Sequence, residues 1–231
     1  MGKPKFSLEK KSNGSSISLE LSNLKKDYLE LVDKYQKVLQ DNESLNAIIN
    51  TVVAHDSLME DQLDDELQQV KYLANHDPLT NIYNRLSFND FIQRQVDRNL
   101  TKGNRFSLIM FDVDHFKQIN DVFGHSRGDE VLVAITQGIK RLLPDSCIFC
   151  RWGGEEFMIL LPDFTGSQAY DLAQYLRISV EKISIPEGGR LSCSFGVTEY
   201  QSGEPTSVLY ERVDRFVYEA KENGRNQVIG N

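Results

Sequence analysis

Apolar residues recur in alternating steps of three and four between residues 21 and 73. This spacing places them on one face of an α-helix and is the heptad pattern of a coiled coil, in which the a and d positions form a seam. Thirteen of the sixteen a and d positions are apolar, and the three polar ones are Asn42, Asp56 and Glu66. The pattern therefore predicts a long helix that associates with another helix along this seam.

The polar residue Asn42 at an a position indicates how the helices associate. A buried asparagine at an a position pairs with its own copy across a parallel two-stranded interface and fixes the dimeric state. The alternative is a helix that packs back on its own chain, but more than fifty residues without proline or glycine span about 80 Å, which is too long for one domain to cover. We therefore predict a parallel homodimer, in which Asp56 and Glu66 weaken the second half of the seam.

The helical pattern stops near Pro78, which removes a backbone donor and restrains Asp77 away from the helical conformation. We predict helices at residues 87–100, 128–143, 167–182 and 207–222, and strands at 106–113, 147–152, 155–161, 191–198 and 226–229. This order predicts an α+β fold of the ferredoxin-like or polymerase-palm type. The chain is thus divided into a flexible polar tail at residues 1–18, a coiled-coil stalk at 19–76 and a globular domain at 77–231.

The composition narrows the class of protein. Of the 231 residues 40% are hydrophobic, which supports a real core, and the net charge is -8. An acidic surface argues against binding to nucleic acid. No apolar run approaches the roughly 20 residues that cross a bilayer, and the first residues lack the apolar stretch of a signal peptide. We therefore expect a cytoplasmic protein that binds neither nucleic acid nor membranes.

Carboxylates cluster at predicted strand ends. Asp112 ends the most apolar strand, and Glu155 and Glu156 follow Gly153-Gly154, a dipeptide that can take positive φ at both positions of a hairpin turn. Taken alone, Asp112 is also explained as a helix cap, and the glycine pair as an ordinary hairpin turn. If the two strands are neighbours, the three carboxylates share one sheet edge. Such oxygen ligands suit Mg²⁺ with nucleotide phosphates, so the pattern predicts metal-assisted phosphoryl transfer.

Four motifs occur in order over the predicted domain. They are Asp77-Pro78-Leu79-Thr80 with Asn84-Arg85, the segment 112–121 continued by Gly124-His125 and Gly128-Asp129, the hairpin Arg151-Trp152-Gly153-Gly154-Glu155-Glu156-Phe157, and Ala220-Lys221-Glu222-Asn223-Gly224-Arg225-Asn226. With these motifs, residues 77–229 resemble the GGDEF-domain family of bacterial diguanylate cyclases, in its GGEEF variant. The resemblance implies a nucleotidyltransferase that condenses two GTP molecules into the second messenger cyclic di-GMP.

The resemblance also implies a metal site and catalytic residues. The implied Mg²⁺ ligands are the carboxylates of Asp112 and Glu155 and the main-chain carbonyl of Val113, with two ions in each half-site and Mn²⁺ as an alternative. The implied catalytic residues are Glu155, to which the family's proton-acceptor role is often assigned, together with Glu156 and Lys117.

Substrate-binding positions are implied in the same way. Asn120 and Asp129 match the residues that read guanine, and a carboxylate can accept the N1 and N2 protons that guanine offers and adenine does not. The other implied positions, which include cations that contact phosphate, are Phe116, Lys117, His125, Gly153, Gly154, Lys221 and Arg225. Taken alone, each of these cations is also explained as a solvated surface charge.

Each domain of this family binds one GTP, so the reaction requires two domains face to face. A parallel stalk raises the local concentration of one domain around the other. A single cyclase domain on a short coiled-coil stalk is similar to family members governed by a partner protein. We therefore predict that a regulatory protein that binds the stalk, or a change in coiled-coil packing, sets the orientation of the domains.

Two positions depart from the family pattern. Residues 144–147 read Pro-Asp-Ser-Cys where many members carry an inhibitory Arg-x-x-Asp motif, and Asn81 replaces a glycine. Asparagine tolerates the left-handed conformation best after glycine, so we expect the turn at Asn81 to be retained. Two other functions are a catalytically dead effector and a scaffold with a relic domain. The effector predicts loss of the hairpin or the metal carboxylate, and the relic domain predicts decay at Asp112, Asn120 and Lys221. The chain retains all of these.

Overall fold

The computed structural model describes residues 13–183 and 190–231. Its first element is a 63-residue helix, α1 (Asn13–Asn75). This helix begins inside the range predicted as a tail, because helical hydrogen bonding does not require the apolar seam positions from which the start was predicted. The rest of the predicted tail, residues 1–12, lies outside the described residues. The end of α1 before Pro78 is confirmed.

The chain divides into two compact units, Met1–Leu67 and Gln68–Asn231. Apolar seam residues of the first unit are 49% to 69% exposed, with Ile49 and Leu24 at the two extremes. The division falls before the boundary predicted between residues 76 and 77, because the last turns of α1 bond to the globular part. Among the described residues, no helix is long and apolar enough to span a membrane.

The second unit contains six strands and five helices after α1 in the described residues. They are β1 (Tyr83–Asn84), α2 (Arg85–Lys102), β2 (Phe106–Val113), α3 (Phe116–Phe123), α4 (His125–Lys140), β3 (Ile148–Gly153), β4 (Glu156–Pro162), α5 (Gly166–Val180), β5 (Cys193–Glu199), α6 (Thr206–Glu222) and β6 (Val228–Gly230). Every predicted helix and strand is confirmed, β2 with the predicted ends and the others with ends shifted by up to a few residues, whereas β1 and α3 were not predicted.

The six strands form one sheet in the order β1-β3-β4-β2-β5-β6. The central strand β2 runs antiparallel to both β4 and β5, while β1 pairs with β3 and β5 with β6 in parallel. All eight residues of β2 are buried, as a strand covered on both faces requires. This arrangement confirms the predicted α+β class.

Alternate residues of β2 face two different halves of the core. Ile109 and Phe111 lie with apolar side chains of α4 and α5. Leu108 and Met110 lie in the other core cluster, with side chains of α2 and α6. Because side chains alternate along a strand, Asp112 continues the row of Leu108 and Met110 and emerges on the face that α6 covers.

Candidate active site

The ends of β2 and β4 bring the predicted carboxylates together. Asp112 is directly opposite Glu156 in the antiparallel ladder, and the amide of Val113 donates to the carbonyl of Glu155 at 3.3 Å. The expectation that the strand and the hairpin are neighbours is therefore confirmed. Like charges at directly opposite positions destabilise a sheet, so this edge requires a compensating cation.

The hairpin turn differs from the prediction in two ways. β3 extends to Gly153, so the turn consists of Gly154 and Glu155, and only Glu156 begins the returning strand. Of the two glycines only Gly154 has a positive φ, 31°. Both errors have one cause, a β-bulge between Arg151 and Gly153 that takes up a residue before the turn. A Cβ at Gly154 would meet no atom within 4 Å, so the backbone there faces open space.

Lys221 supplies a positive charge at this edge. It lies in the last turn of α6, and its Nζ is 2.8 Å from Oδ2 of Asp112, whose side chain is 7% exposed. The pKa of Asp112 is raised to about 6, chiefly by burial and also by the charges of Glu155 and Glu156, against the opposing effect of Lys221. The structure thus places a residue predicted to bind phosphate against a predicted metal ligand.

The pKa of Glu156 depends on burial and on four neighbouring charges. Burial raises its pKa, as do the nearby carboxylates of Asp214 and Glu155, whereas Lys221 and Arg85 lower it. Partly buried carboxylate oxygens that repel one another are suitable donors for a divalent cation. The described residues hold no cluster of three or more His, Cys, Asp or Glu side chains arranged for a metal. The predicted ligands differ from such a cluster, since they are two carboxylates and one main-chain carbonyl.

A second group of predicted residues lies where α3 meets α4. A Cβ at Gly128 would lie 1.9 Å from Oδ1 of Asn120 and 3.1 Å from the ring of Phe116, so only glycine allows this contact. Oδ1 of Asn120 is buried and has no hydrogen-bond partner. Asp129, which follows Gly128 in α4, is exposed. The structure thus packs Phe116 and Asn120 against Gly128, the residue before Asp129.

The remaining polar or charged residues predicted to bind substrate lie on the surface. Lys117, His125 and Arg225 are exposed, and none of them forms a side-chain hydrogen bond or ion pair with another described residue. His125 is the first residue of α4, and Arg225 lies in the loop after α6 with φ at 66°. Their roles toward a substrate stay predictions.

Asp114 is a functional candidate that the sequence analysis missed. Its side chain is buried and accepts hydrogen bonds from the hydroxyl groups of Ser192 and Ser194, each at 2.7 Å, and from the amide of Asn226 at 3.1 Å. Asn226 ends the loop that carries Arg225. Asp114 therefore fastens this loop to the end of β2. Serines alternating with apolar residues at 191–194 were the signal that a buried polar partner exists.

Two arginines hold the hairpin. The guanidinium carbon of Arg85 lies 4.2 Å from the centre of the Trp152 ring. Arg151 donates to both carboxylate oxygens of Asp77 at 3.1 and 3.2 Å and to the carbonyl of Gly154 at 2.8 Å. The active-site turn is thus tied to the segment that follows α1.

A family model described as diguanylate cyclase, GGDEF domain, matches residues 74–227 of the chain. The diguanylate cyclase DgcM of Escherichia coli (strain K12) is 37% identical over 177 residues, which cover 77% of this chain and 42% of DgcM. The response regulator PleD of Caulobacter vibrioides is 32% identical over 196 residues, which cover 82% of this chain and 43% of PleD. The chain therefore spans less than half the length of these two relatives.

Two solved structures that include more than the globular domain are also similar. The coiled coil and GGDEF domain of DgcB from Caulobacter crescentus, solved with c-di-GMP, gives a TM-score of 0.75 at 28% identity and covers 79% of this chain and 99% of that chain. SiaD from Pseudomonas aeruginosa, solved with its activator SiaC, gives 0.67 at 30% identity and covers 94% of this chain and 82% of that chain. With the motif carboxylates at one sheet edge and the family model matching most of the chain, the protein belongs to the GGDEF-domain family of diguanylate cyclases.

Proposed function

We propose that the protein condenses two GTP molecules into cyclic di-GMP. The 3′-hydroxyl of each nucleotide attacks the α-phosphate of the other, so that two phosphodiester bonds form and two α–β phosphoanhydride bonds break. Two pyrophosphate ions leave, and each hydroxyl loses its proton. Each domain provides a half-site for one GTP, and two domains make one product. Because GTP is a cytoplasmic nucleotide, we place the activity in the cytoplasm.

The observation that carries this proposal is the carboxylate edge. Asp112 faces Glu156 across the ladder, Glu155 occupies the turn, and Lys221 contacts Asp112. A dead effector or a relic domain has no need to keep a buried carboxylate beside two partly buried ones that repel it. A metal-dependent nucleotidyltransferase does need them.

A divalent cation fits these donors. The carboxylates of Asp112 and Glu155 and the carbonyl of Val113 would hold it, and we propose two Mg²⁺ ions in each half-site, with Mn²⁺ as a substitute. When bound, the metal neutralises phosphate oxygens and the charge that develops on the leaving pyrophosphate. We assign proton acceptance from the 3′-hydroxyl to Glu155 and a supporting contact to Glu156.

The remaining predicted residues bind GTP in this proposal. The exposed carboxylate of Asp129 supplies acceptors for the N1 and N2 protons of guanine, and Asn120 is the second proposed guanine contact. Cations contact the phosphates, and residues without charge shape the pocket. The phosphate-binding cations are Lys117, Lys221 and Arg225, and the other contacts are Phe116, His125, Gly153 and Gly154.

Two half-sites meet when two chains associate through α1. Val70 and Leu73, the last seam residues, are 62% and 69% exposed although they lie in the same compact unit as the domain. The bonds from this part of α1 to the domain come from Tyr72, Ala74 and Asn75 instead. The seam therefore stays available for a second copy down to the domain, and the coiled coil of DgcB supports a parallel homodimer by analogy.

A protein that binds the stalk is the proposed regulator. SiaD is similar over most of this chain and was solved with its activator SiaC. Apolar residues outside the seam, such as Leu39 and Val53, are 45% and 62% exposed and add surface for such a partner.

The test is incubation of the full chain with GTP and Mg²⁺, with products quantified by chromatography and mass spectrometry. We expect one cyclic di-GMP for every two pyrophosphate ions, and no product from ATP. Glu155→Gln should lower the rate by at least about a hundredfold, because it removes a charged metal ligand. Glu211→Gln, at an exposed position of α6, is the matched control and should leave the rate unchanged.

One result would overturn the proposal in favour of an effector. It is binding of GTP or cyclic di-GMP by a dimeric wild-type chain that forms no product with either Mg²⁺ or Mn²⁺ at high protein concentration. Asp129→Asn sharpens the specificity claim, since it should raise the KM for GTP while the metal dependence stays the same.

A further inference from the structure

The last two turns of α1 are built into the domain by side-chain bonds. The amide nitrogen of Asn84 donates to the carbonyl of Ala74 at 2.7 Å, and its oxygen caps α2 by accepting from the amide of Ser87 at 3.0 Å. The hydroxyl of Ser87 donates to Oδ1 of Asn75 at 2.7 Å. The carbonyls at the end of one helix and the amides at the start of the next are thus satisfied by the same few residues.

Four aromatic rings also connect the end of α1 to α2, and we call this region the junction. The rings of Tyr72 and His76 stack at 4.0 Å between centroids, and those of His76 and Tyr83 at 4.7 Å. Tyr83 meets Phe91 of α2 edge to face at 4.9 Å. The ladder of four rings therefore runs from α1 through the turn into α2, and such contacts favour one mutual orientation.

Asn81 adds a bond that the family's usual glycine cannot make. Its φ is 58°, so the left-handed conformation expected for this turn is confirmed. Its Oδ1 accepts a hydrogen bond from the hydroxyl of Tyr72, one of the rings in the ladder. Glycine would adopt the same backbone conformation but would leave the hydroxyl of Tyr72 without this acceptor.

The same turn leads to the active-site hairpin. The amide of Asn81 donates to the carbonyl of Asp77 at 2.9 Å, and Asp77 binds Arg151, which binds the carbonyl of Gly154. A short path of hydrogen bonds thus joins Tyr72, little more than one helical turn after the unit boundary, to the turn that carries Glu155.

We propose that Tyr72 and Asn81 are positioning residues for the condensation. They fix the direction in which α1 enters the domain, and hence how one GTP half-site faces the other in the dimer. The inference rests on the proposed function, because only a reaction shared between two domains is sensitive to that direction. It predicts an effect on turnover rather than on GTP binding, since neither residue lies among the proposed substrate contacts.

The test compares Tyr72→Phe, Asn81→Gly and the double variant as full-length dimers. Each single variant should lower kcat about twofold to tenfold, the range that one hydrogen bond provides, with the KM for GTP nearly unchanged. The double variant should be no worse than either single one, because both changes remove the same bond. Amide exchange at residues 76 and 81 should become faster in all three.

Two further variants separate positioning from a loss of structure. Asn81→Asp keeps an acceptor oxygen and tolerance of positive φ, so it should retain wild-type kcat. Tyr175→Phe removes the hydroxyl of an exposed tyrosine on α5 and should change neither kcat nor the exchange at residues 76 and 81.

The outcomes distinguish this inference from the proposed function. An active wild type with unchanged kcat in Tyr72→Phe and Asn81→Gly overturns the inference alone, as does full additivity in the double variant. A wild type that makes no cyclic di-GMP overturns the proposed function. In that case amide exchange at residues 76 and 81 tests whether Tyr72 and Asn81 hold the end of α1 in place. Unchanged exchange in Tyr72→Phe would then overturn the inference as well.

Discussion

The seam of α1 and the strand β2 are similarly rich in large apolar side chains, yet they differ completely in burial. Leu24 and Leu73 are each 69% exposed, whereas Leu108 and Ile109 are fully buried. β2 lies between two helical layers of its own chain, and most of the seam belongs to a unit whose described residues form one helix. The domain therefore has its own core, whereas the apolar residues of the seam stay in contact with water unless another chain covers them.

This difference divides the proposed reaction into two tasks. The domain can assemble a half-site from its own residues, because Asp112, Glu156 and Lys221 are positioned by one sheet and one helix. The joining of two half-sites depends on the seam, which contributes no residue to either. Changes in the domain should therefore act on stability and GTP binding, and changes in the stalk on the encounter between domains.

The largest expected effect comes from a matched pair of leucines. Leu108→Ala leaves a cavity at the centre of the sheet and should lower the free energy of unfolding of the domain by about 2–5 kcal/mol. Leu24→Ala should leave that unfolding transition unchanged and shift the monomer–dimer equilibrium instead. Urea unfolding and analytical ultracentrifugation measure the two effects, and equal destabilisation of the domain by both variants would contradict the comparison.

The second largest effect is expected from insertions in α1, which distinguish the continuity of the seam from the length of the stalk. Two alanines inserted after Asn50 rotate the later seam positions by about 200°, so that the two halves of the seam no longer share one face. We expect the rate at low protein concentration to fall about a hundredfold, since tethering is lost. A seven-residue insertion that repeats residues 44–50 keeps the heptad and should retain activity. Equal loss in both insertions would argue against a coiled coil.

A smaller effect is expected within the half-site. Asp114→Asn replaces an acceptor of three hydrogen bonds by an amide that turns one donor toward other donors, which costs about 1–3 kcal/mol of domain stability. The loop with Arg225 should loosen, and the KM for GTP should rise while dimerisation is unchanged. Ser192→Ala, which removes one of the three bonds, should have a smaller effect of the same kind. Steady-state kinetics and ultracentrifugation test this.

The smallest effect concerns acid stability at the junction. Partial burial acts to raise the pKa of Asp77, but hydrogen bonds from Thr80 and the guanidinium of Arg151 outweigh it and hold the pKa below its ordinary value. The stabilisation is therefore present above the unfolded-state pKa near 3.8 and is lost as the pH falls through the lower folded-state value. Asp77→Asn should remove this acid-dependent contribution, which we expect to be about 1 kcal/mol or less. Unfolding curves between pH 5 and the acid limit, on the order of pH 2, measure it.

The sequence predicts those parts of the fold that depend on long apolar patterns. β2 matches its prediction residue for residue, because eight consecutive residues are covered on both faces. α1 is long and periodic, and its end at Asn75, shortly before Pro78, is set by local stereochemistry. The contact between Asp112 and the hairpin was also predictable, since both motifs carry carboxylates at strand ends.

Other features depend on contacts that no local pattern encodes. α3 follows His115, a residue at φ 58°, and its eight residues are too few for a periodic signal. β1 has two residues and is defined only by its pairing with β3. The bulge before Gly153 moved Glu155 into the turn. Lys221 meets Asp112 across more than a hundred residues, which depends on the packing of α6 against β2.

The alternation of side chains along β2 determines what a misfolded form of the protein would lose. Asp112 reaches the side of the sheet beneath α6 because it shares a row with Leu108 and Met110. A slip of β2 by one residue against its neighbours would turn this carboxylate under α4 and α5 and would expose Val113 at the catalytic edge. Such a molecule would bury a charge among apolar side chains and would lack a metal ligand. Misregistered chains are thus expected to be inactive and short-lived, rather than cyclases with altered selectivity.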